Sequence, residues 1–146
     1  MHKLLLTALT LGTLLTSFTP VADPATDILG PWKVAADGLP NAKKQLIERL
    51  KGTNPEIVEQ LEANPGMAEQ LIESFIYDYK ADGTLNITTA QGPQTNKWRF
   101  SDDKCVIIRT RSNSTEVQDS VISISPKQLV LATLPLRLPV TYERAN

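Results

Sequence analysis

The sequence predicts a mainly β protein in which about eight antiparallel strands form a meander barrel. From Phe75 onward, apolar and polar residues alternate with a period of two, in short runs separated by turn clusters. One more short strand, around Trp32, precedes a helical segment at about residues 41–75. Short connections favour neighbours that follow one another in sequence, and a meander of this many strands removes its edges by closing into a barrel.

The first 22 residues predict a signal peptide. Met1-His2-Lys3 gives a positive start, residues 4–15 are largely apolar, and residues 16–22 are more polar. The apolar run has about a dozen residues, fewer than the ~20 that span a bilayer. An uncleaved membrane anchor is the alternative. We expect cleavage near Ala22, export to the periplasm or medium, a single domain at 23–146, and no stable membrane anchor after cleavage.

Composition removes several function classes. The formal net charge is −1 and no basic cluster is interleaved with aromatics, so no nucleic-acid partner is expected. Cys105 is the only cysteine and His2 the only histidine, and His2 falls in the predicted signal peptide. A disulfide, a cysteine-only zinc site and a histidine base are therefore not expected. The pair Asp102-Asp103 is interpreted as an amide-capping turn. We predict no enzyme activity, cofactor or metal site.

The strand at residues 28–34 ends in a turn cluster at 37–40, and the helices follow. Asn54-Pro55 and Asn64-Pro65 each predict a helix start, with Asn as the cap and Pro at the first helical position. The segments at 54–61 and 64–71 resemble each other. The sequence thus predicts an insert of two to three helices between strands 1 and 2. Packing of the insert on the domain is favoured over a membrane-surface or partner-binding helix pair, because its polar faces are acidic.

The remaining strands are predicted from alternation and turns. A predicted hairpin turn at 81–84 joins the strands at 75–80 and 85–88, and residues 91–96 are predicted to be a loop. Cys105 is expected to be a small buried residue within its strand. The predicted strands lie at 75–80, 85–88, 97–100, 105–109, 115–124, 129–133 and 138–144.

Four groups of residues resemble the lipocalins and their small bacterial lipocalin-like relatives in the calycin superfamily. They are Gly30-Pro31-Trp32, the turn at 81–84, Trp98 with Phe100, and Tyr142-Glu143-Arg144. The resemblance implies that Gly30, Trp32 and Arg144 close one end of the barrel, with Arg144 in a cation–π contact with Trp32. The family's Thr-Asp-Tyr pattern, its disulfide pair and its helix after the last strand are not matched. A helical pair between the first two strands is instead similar to the fatty-acid-binding proteins.

An eight-stranded barrel has room inside for its own side chains or for one small ligand. The alternation directs these residues inward: Phe75, Tyr77, Tyr79, Leu85, Ile87, Trp98 and Phe100. They would line a pocket for a small hydrophobic or amphipathic, lipid-like ligand, or they would fill the lumen. The first alternative predicts an exported ligand-binding protein without catalysis. The second predicts a solid-barrel interaction module with a protein partner in the cell envelope.

Overall fold

The computed structural model describes residues 23–146, and the predicted signal peptide lies outside the described residues. Eight strands form a closed barrel in which each strand pairs antiparallel with the next and the last pairs with the first. The predicted meander barrel is confirmed. The strands are β1 (Gly30–Val34), β2 (Ile76–Tyr79), β3 (Thr84–Thr89), β4 (Gly92–Phe100), β5 (Val106–Thr110), β6 (Glu116–Ile124), β7 (Gln128–Thr133) and β8 (Pro139–Arg144).

The helical insert lies between β1 and β2, as predicted. After the short α1 (Pro24–Asp27), it comprises α2 (Leu39–Lys51), α3 (Pro55–Ala63) and α4 (Pro65–Glu73). Proline occupies the first position of α3 and of α4, but Asn54 and Asn64 accept no capping hydrogen bond through their side chains. That detail of the prediction is wrong. Their ψ angles, 74° and 83°, fall short of the extended region from which a cap side chain reaches the helix amides. No helix in residues 23–146 is long and apolar enough to cross a membrane.

Helix α2 is held against the start of β8 and the residue before it by two side-chain amides. The Asn41 amide donates to the Pro139 carbonyl and the Gln45 amide donates to the Leu138 carbonyl, each at 2.7 Å. Just before α2, Gly38 approaches β8 so closely that a Cβ would lie 2.4 Å from the Thr141 carbonyl oxygen. The glycine is therefore required by this contact, which seats the insert over one end of the barrel.

The opposite end of the barrel is closed by Trp32, which is fully buried. Its indole N–H donates to the Ile28 carbonyl at 2.7 Å, and the Arg144 guanidinium lies 3.8 Å from its ring centroid. Trp32 and Arg144 are also direct partners in the ladder between β1 and β8. The cation–π contact expected from the resemblance is present.

Arg144 also satisfies three backbone carbonyls at this closed end. It donates to Leu29 at 2.6 Å, to Asp27 at 2.7 Å and to Pro126 at 2.8 Å. Gly30 makes room for the guanidinium, because a Cβ there would lie 2.9 Å from Nη1, and its φ of +106° favours glycine. One side chain thus joins α1, the start of β1, the end of β8 and the turn between β6 and β7.

Two sequence predictions about local structure are wrong. The predicted loop at 91–96 is mostly strand, because Gly92, at a φ of +119°, allows a tight turn that pairs with Thr89 and starts β4 early. Cys105 is exposed and precedes β5. The Asp103 carboxylate accepts a hydrogen bond from the Cys105 backbone N–H at 3.0 Å, which holds the cysteine in the turn. This bond is the amide capping predicted for the Asp102-Asp103 turn.

We expect Arg144→Lys to lower the free energy of unfolding by about 2 kcal/mol although the charge is kept. A lysine has no planar fork with which to bond three carbonyls at once, and it stacks less well on the indole. Urea denaturation measures the effect. Arg137→Lys, in an exposed loop, is the matched control and should change little. Equal denaturation midpoints for both variants would contradict this role of Arg144.

Candidate functional site

The structure brings all seven predicted inward residues into one apolar cluster inside the barrel. Tyr79, Leu85 and Ile87 are buried, and the other four are partly buried and packed against the same cluster. Tyr79 and Trp98 meet edge to face at 5.3 Å, and Trp98 meets Phe100 in the same way at 5.5 Å. These aromatic contacts occupy the interior that a ligand would otherwise need.

Only a small space remains at the centre of the barrel. We call it the inner cavity, and its volume is about 10 Å³, enough for about one water molecule. It is lined by Trp32, Tyr77, Tyr79, Arg109, Leu129, Leu131 and Tyr142. A lipid chain does not fit in the lumen of this conformation.

Sequence reasoning missed a buried ion pair in the lumen. The Arg109 guanidinium donates to both carboxylate oxygens of Asp119, with Nη2 to Oδ1 at 2.9 Å, and the Thr133 hydroxyl donates to Oδ1 at 2.7 Å. Asp119 is 1% exposed. The alternation of side chains along the strands could have predicted this pair. Arg109 lies on the same strand face as the buried Ile107, and Asp119 pairs directly with Ile107.

The ion pair keeps Arg109 charged inside the barrel. Burial by itself lowers the pKa of Arg109, but the attraction of Asp119, followed by that of Tyr79, outweighs it and the pKa is raised. The pair engages two of the five guanidinium N–H groups, so three remain that Asp119 does not use. Arg109 is thus a fixed hydrogen-bond donor at the base of the barrel opening.

Three phenols surround this guanidinium. Burial is the first cause that raises the pKa of Tyr77, of Tyr79 and of Tyr142 above the usual value, and it does so strongly for Tyr142. The Tyr77 ring centroid lies 6.0 Å from the guanidinium carbon of Arg109 and 5.9 Å from the Tyr142 ring centroid. The phenols therefore remain neutral and can donate hydrogen bonds.

A second space, which we call the mouth cavity, lies between the open end of the barrel and the insert. Its volume is about 100 Å³. The barrel supplies a polar floor of Tyr77, Arg109, Thr133 and Tyr142. The opposite wall is largely apolar and contains Val34, Ala42, Leu46, Ile72 and Phe75, with Gln45 and Arg49 at its edge.

A third space, which we call the outer cleft, continues from the mouth cavity to the surface and has a volume of about 340 Å³. The two share Gln45, Arg49 and Thr133 as lining residues. The outer cleft runs between α2 and the connection from β7 to β8. Its other lining residues are Glu48, Arg111, Val117, Leu134, Pro135 and Leu136.

The structure thus separates the predicted site residues into three groups. Phe75 and Tyr77 line the mouth cavity, and Tyr77 and Tyr79 line the inner cavity. Leu85, Ile87, Trp98 and Phe100 line neither and pack in the core. Gly30, Trp32 and Arg144 lie at the closed end, away from the opening.

The chain matches no protein-family model, no curated protein and no solved structure. The site is therefore interpreted from its own geometry. Within residues 23–146, no three His, Cys, Asp or Glu side chains are placed to hold a metal ion. What the opening offers is hydrogen-bond donors beside an apolar wall, which suits non-covalent recognition of a molecule with acceptor atoms and an apolar part.

We expect Asp119→Asn to lower the free energy of unfolding by about 3–5 kcal/mol, because it leaves the buried Arg109 charge without its counterion. Glu116→Gln is the matched control. It removes a carboxylate from the same strand, but from an exposed pair with Arg99 at 3.9 Å, and should cost less than about 1 kcal/mol. Urea denaturation compares them. Similar losses in the two variants would show that Asp119 is not a buried counterion.

The tyrosines predict a cooperative alkaline transition. The chain has three tyrosines, and all three line the inner cavity with raised pKa values. Unfolded tyrosine titrates near pH 10. The stability from the neutral phenols is therefore complete below about pH 10 and is lost as the pH rises above it. Phenolate absorbance should appear together with loss of circular dichroism. Phenolate formation near pH 10 in a protein that keeps its native spectrum would contradict the assignment.

Proposed function

We propose that the protein is an exported, non-enzymatic barrel that binds a small amphipathic molecule at its open end. The observation that carries the proposal is the mouth cavity, in which an apolar wall faces a floor of fixed hydrogen-bond donors. The sequence hypothesis placed the ligand deep in the lumen. Because side chains fill the lumen, a ligand position nearer the opening is favoured.

The chemistry of the mouth cavity supports this choice. Leu46, Ile72 and Phe75 offer apolar surface, and each ligand methylene buried there contributes about 0.8 kcal/mol. Arg109 offers N–H groups and Tyr142 a neutral hydroxyl on the other side. A ligand with one polar end and one apolar part would satisfy both surfaces.

The available space also supports it. The mouth cavity and the outer cleft, at about 100 and 340 Å³, share lining residues. Together they reach the range of about 300–1,000 Å³ that is usual for small-molecule sites. A ligand that enters through the outer cleft would not need to displace the aromatic core.

A lipocalin-like relationship and an envelope or extracellular location are part of the same proposal. The contact between Trp32 and Arg144 at the closed end supports the relationship. The charge and hydropathy pattern of residues 1–22 supports export. The position of the insert, between the first two strands, is similar to that in fatty-acid-binding proteins.

A solid-barrel interaction module is the second candidate. The small inner cavity favours it, and so do two exposed apolar side chains at equivalent places in the Asn-Pro repeats. Ile57 of α3 is 37% exposed and Met67 of α4 is 46% exposed. This candidate predicts that a protein partner, and no small molecule, binds.

The test is isothermal titration of the protein with octyl phosphate, octanoate and octanol, together with native mass spectrometry of protein isolated from its own cell envelope. We expect saturable 1:1 binding of at least one probe. Ala42→Phe, which places a ring in the mouth cavity, should weaken that binding about tenfold or more.

Ala63→Phe is the matched control, since Ala63 is an exposed residue of α3. It should leave the affinity unchanged. Absence of binding by all three probes, with no adduct in the native protein, would refute the proposal and favour the interaction module. Equal effects of the two substitutions would place the ligand elsewhere.

A further inference from the structure

The outer cleft carries two guanidinium groups that no carboxylate balances within residues 23–146. Arg49 lies on α2 and Arg111 follows β5, and both are exposed. One carboxylate, that of Glu48, lines the cleft itself, but it already has a partner, as does the carboxylate of the buried Asp119. Glu48 pairs with Lys51, and Asp119 pairs with Arg109.

The next strand offers no free counterion either. Glu116, at the start of β6, lies 3.9 Å from Arg99. The charged side chains that line the cleft, Glu48, Arg49 and Arg111, therefore sum to +1 in a chain whose formal net charge is −1. Such a concentration of one sign in a concave, partly apolar space attracts ligands of the opposite sign.

The two side chains are close enough to influence each other. Partial burial, and then repulsion from Arg49 and Arg109, lowers the pKa of Arg111. Arg49 and Arg111 also line the same cleft. Two guanidinium groups that repel each other across a cleft are stabilised when an anion is placed between them.

The wall beside these charges is apolar. Val117, Leu134, Pro135 and Leu136 line the cleft, and Leu136 is 41% exposed. An exposed leucine is ordinary by itself. Here it belongs to a wall that continues, past Gln45 and Arg49, to the apolar side of the mouth cavity.

We propose that Arg49 and Arg111 bind the anionic headgroup of an amphiphile, whose apolar part lies along Leu134 and Leu136 and enters the mouth cavity beneath α2. The inference rests on the proposed function and gives it a ligand class. The headgroup is a carboxylate or a phosphate, because a guanidinium binds either with two parallel hydrogen bonds.

Arg109 is not the headgroup site in this arrangement. Its charge is already neutralised by Asp119, whereas the charges of Arg49 and Arg111 are not balanced within residues 23–146. The ring faces of Tyr77 and Tyr142 on the floor of the mouth cavity then contact the apolar part of the ligand, and Arg109 and the Tyr142 hydroxyl remain available to an acceptor atom elsewhere on it. Arg49 and Arg111 in the outer cleft supply the selectivity for an anionic headgroup.

The test compares three probes with the same chain but different headgroups: octyl phosphate, octanoate and octanol. Isothermal titration should give at least tenfold tighter binding of an anionic probe than of octanol. Arg49→Gln and Arg111→Gln should each weaken binding of that anion about tenfold and leave the affinity for octanol unchanged. Added salt should weaken binding of the anion only.

Lys127→Gln is the matched control, an exposed cation in the turn between β6 and β7 that does not line the cleft. It should bind every probe like the unchanged protein. Urea denaturation of all variants checks that folding is unaffected, which is expected because Arg49 and Arg111 form no salt bridge within the described residues. Tighter binding of octyl phosphate than of octanoate would identify the headgroup as a phosphate. The reverse order would identify it as a carboxylate.

Three results would overturn the inference. Equal affinity for octanol and the anions, with no effect of Arg49→Gln or Arg111→Gln, would leave the proposed function standing and remove the charge selectivity. Inorganic phosphate that binds as tightly as octyl phosphate would remove the apolar contact with Leu134 and Leu136. Absence of binding by all three probes would refute the proposed function itself.

Discussion

Closure of the barrel between β1 and β8 is the constraint on which the other features depend, and Arg144 is the residue that secures it. Its guanidinium covers the Trp32 ring and donates to three carbonyls from separate segments. With this ladder in place, no strand of the barrel has an open edge. The direction of every inward side chain, including those at the open end, follows from the same closed register.

The two ends of the barrel differ in how their polar groups are paired. The closed end combines a buried indole, a short helix and three carbonyls that accept hydrogen bonds from Arg144. The open end leaves donors of Arg109 and the tyrosine hydroxyls beside a helical insert. The insert is anchored by Asn41 to the first residue of β8, the strand that carries Arg144, and by Gln45 to the residue before it. Under the proposed function, the residues for stability and those for recognition lie at opposite ends of the barrel.

Much of the architecture could be predicted from local patterns. Alternation after Phe75, the turn at Gly83 and the Asn-Pro helix starts each act over a few residues, so they are visible in the sequence. The start of β4 was missed because Gln94, Thr95 and Asn96 are polar on both faces, and only pairing with β3 makes them a strand. The exposure of Cys105 was missed because its N–H donates to the Asp103 carboxylate two residues earlier, which keeps Cys105 in the turn before the apolar run of β5.

The candidate site was harder to predict than the fold. The residues of its lumen were identified from the sequence, but its buried ion pair was not. Arg109 is buried only because it pairs with Asp119, which lies on another strand. A lone arginine near the end of a strand predicts solvent exposure, and only the register of β5 and β6 reverses that expectation. The cleft between α2 and the β7–β8 connection joins segments far apart in sequence, so no local pattern indicates it.

The ladder between β1 and β8 also determines how the chain has to fold. Arg144 and Leu29 are 115 residues apart in sequence, whereas the other pairings join consecutive strands, all but one of them through short turns. Contacts of such separation carry a high entropic cost of loop closure, so we expect them to form late and to slow folding. Before that step, β1 and β8 are both free edges that can pair with another chain. The order of assembly, hairpins first and closure last, makes the interval before closure the time of greatest aggregation risk.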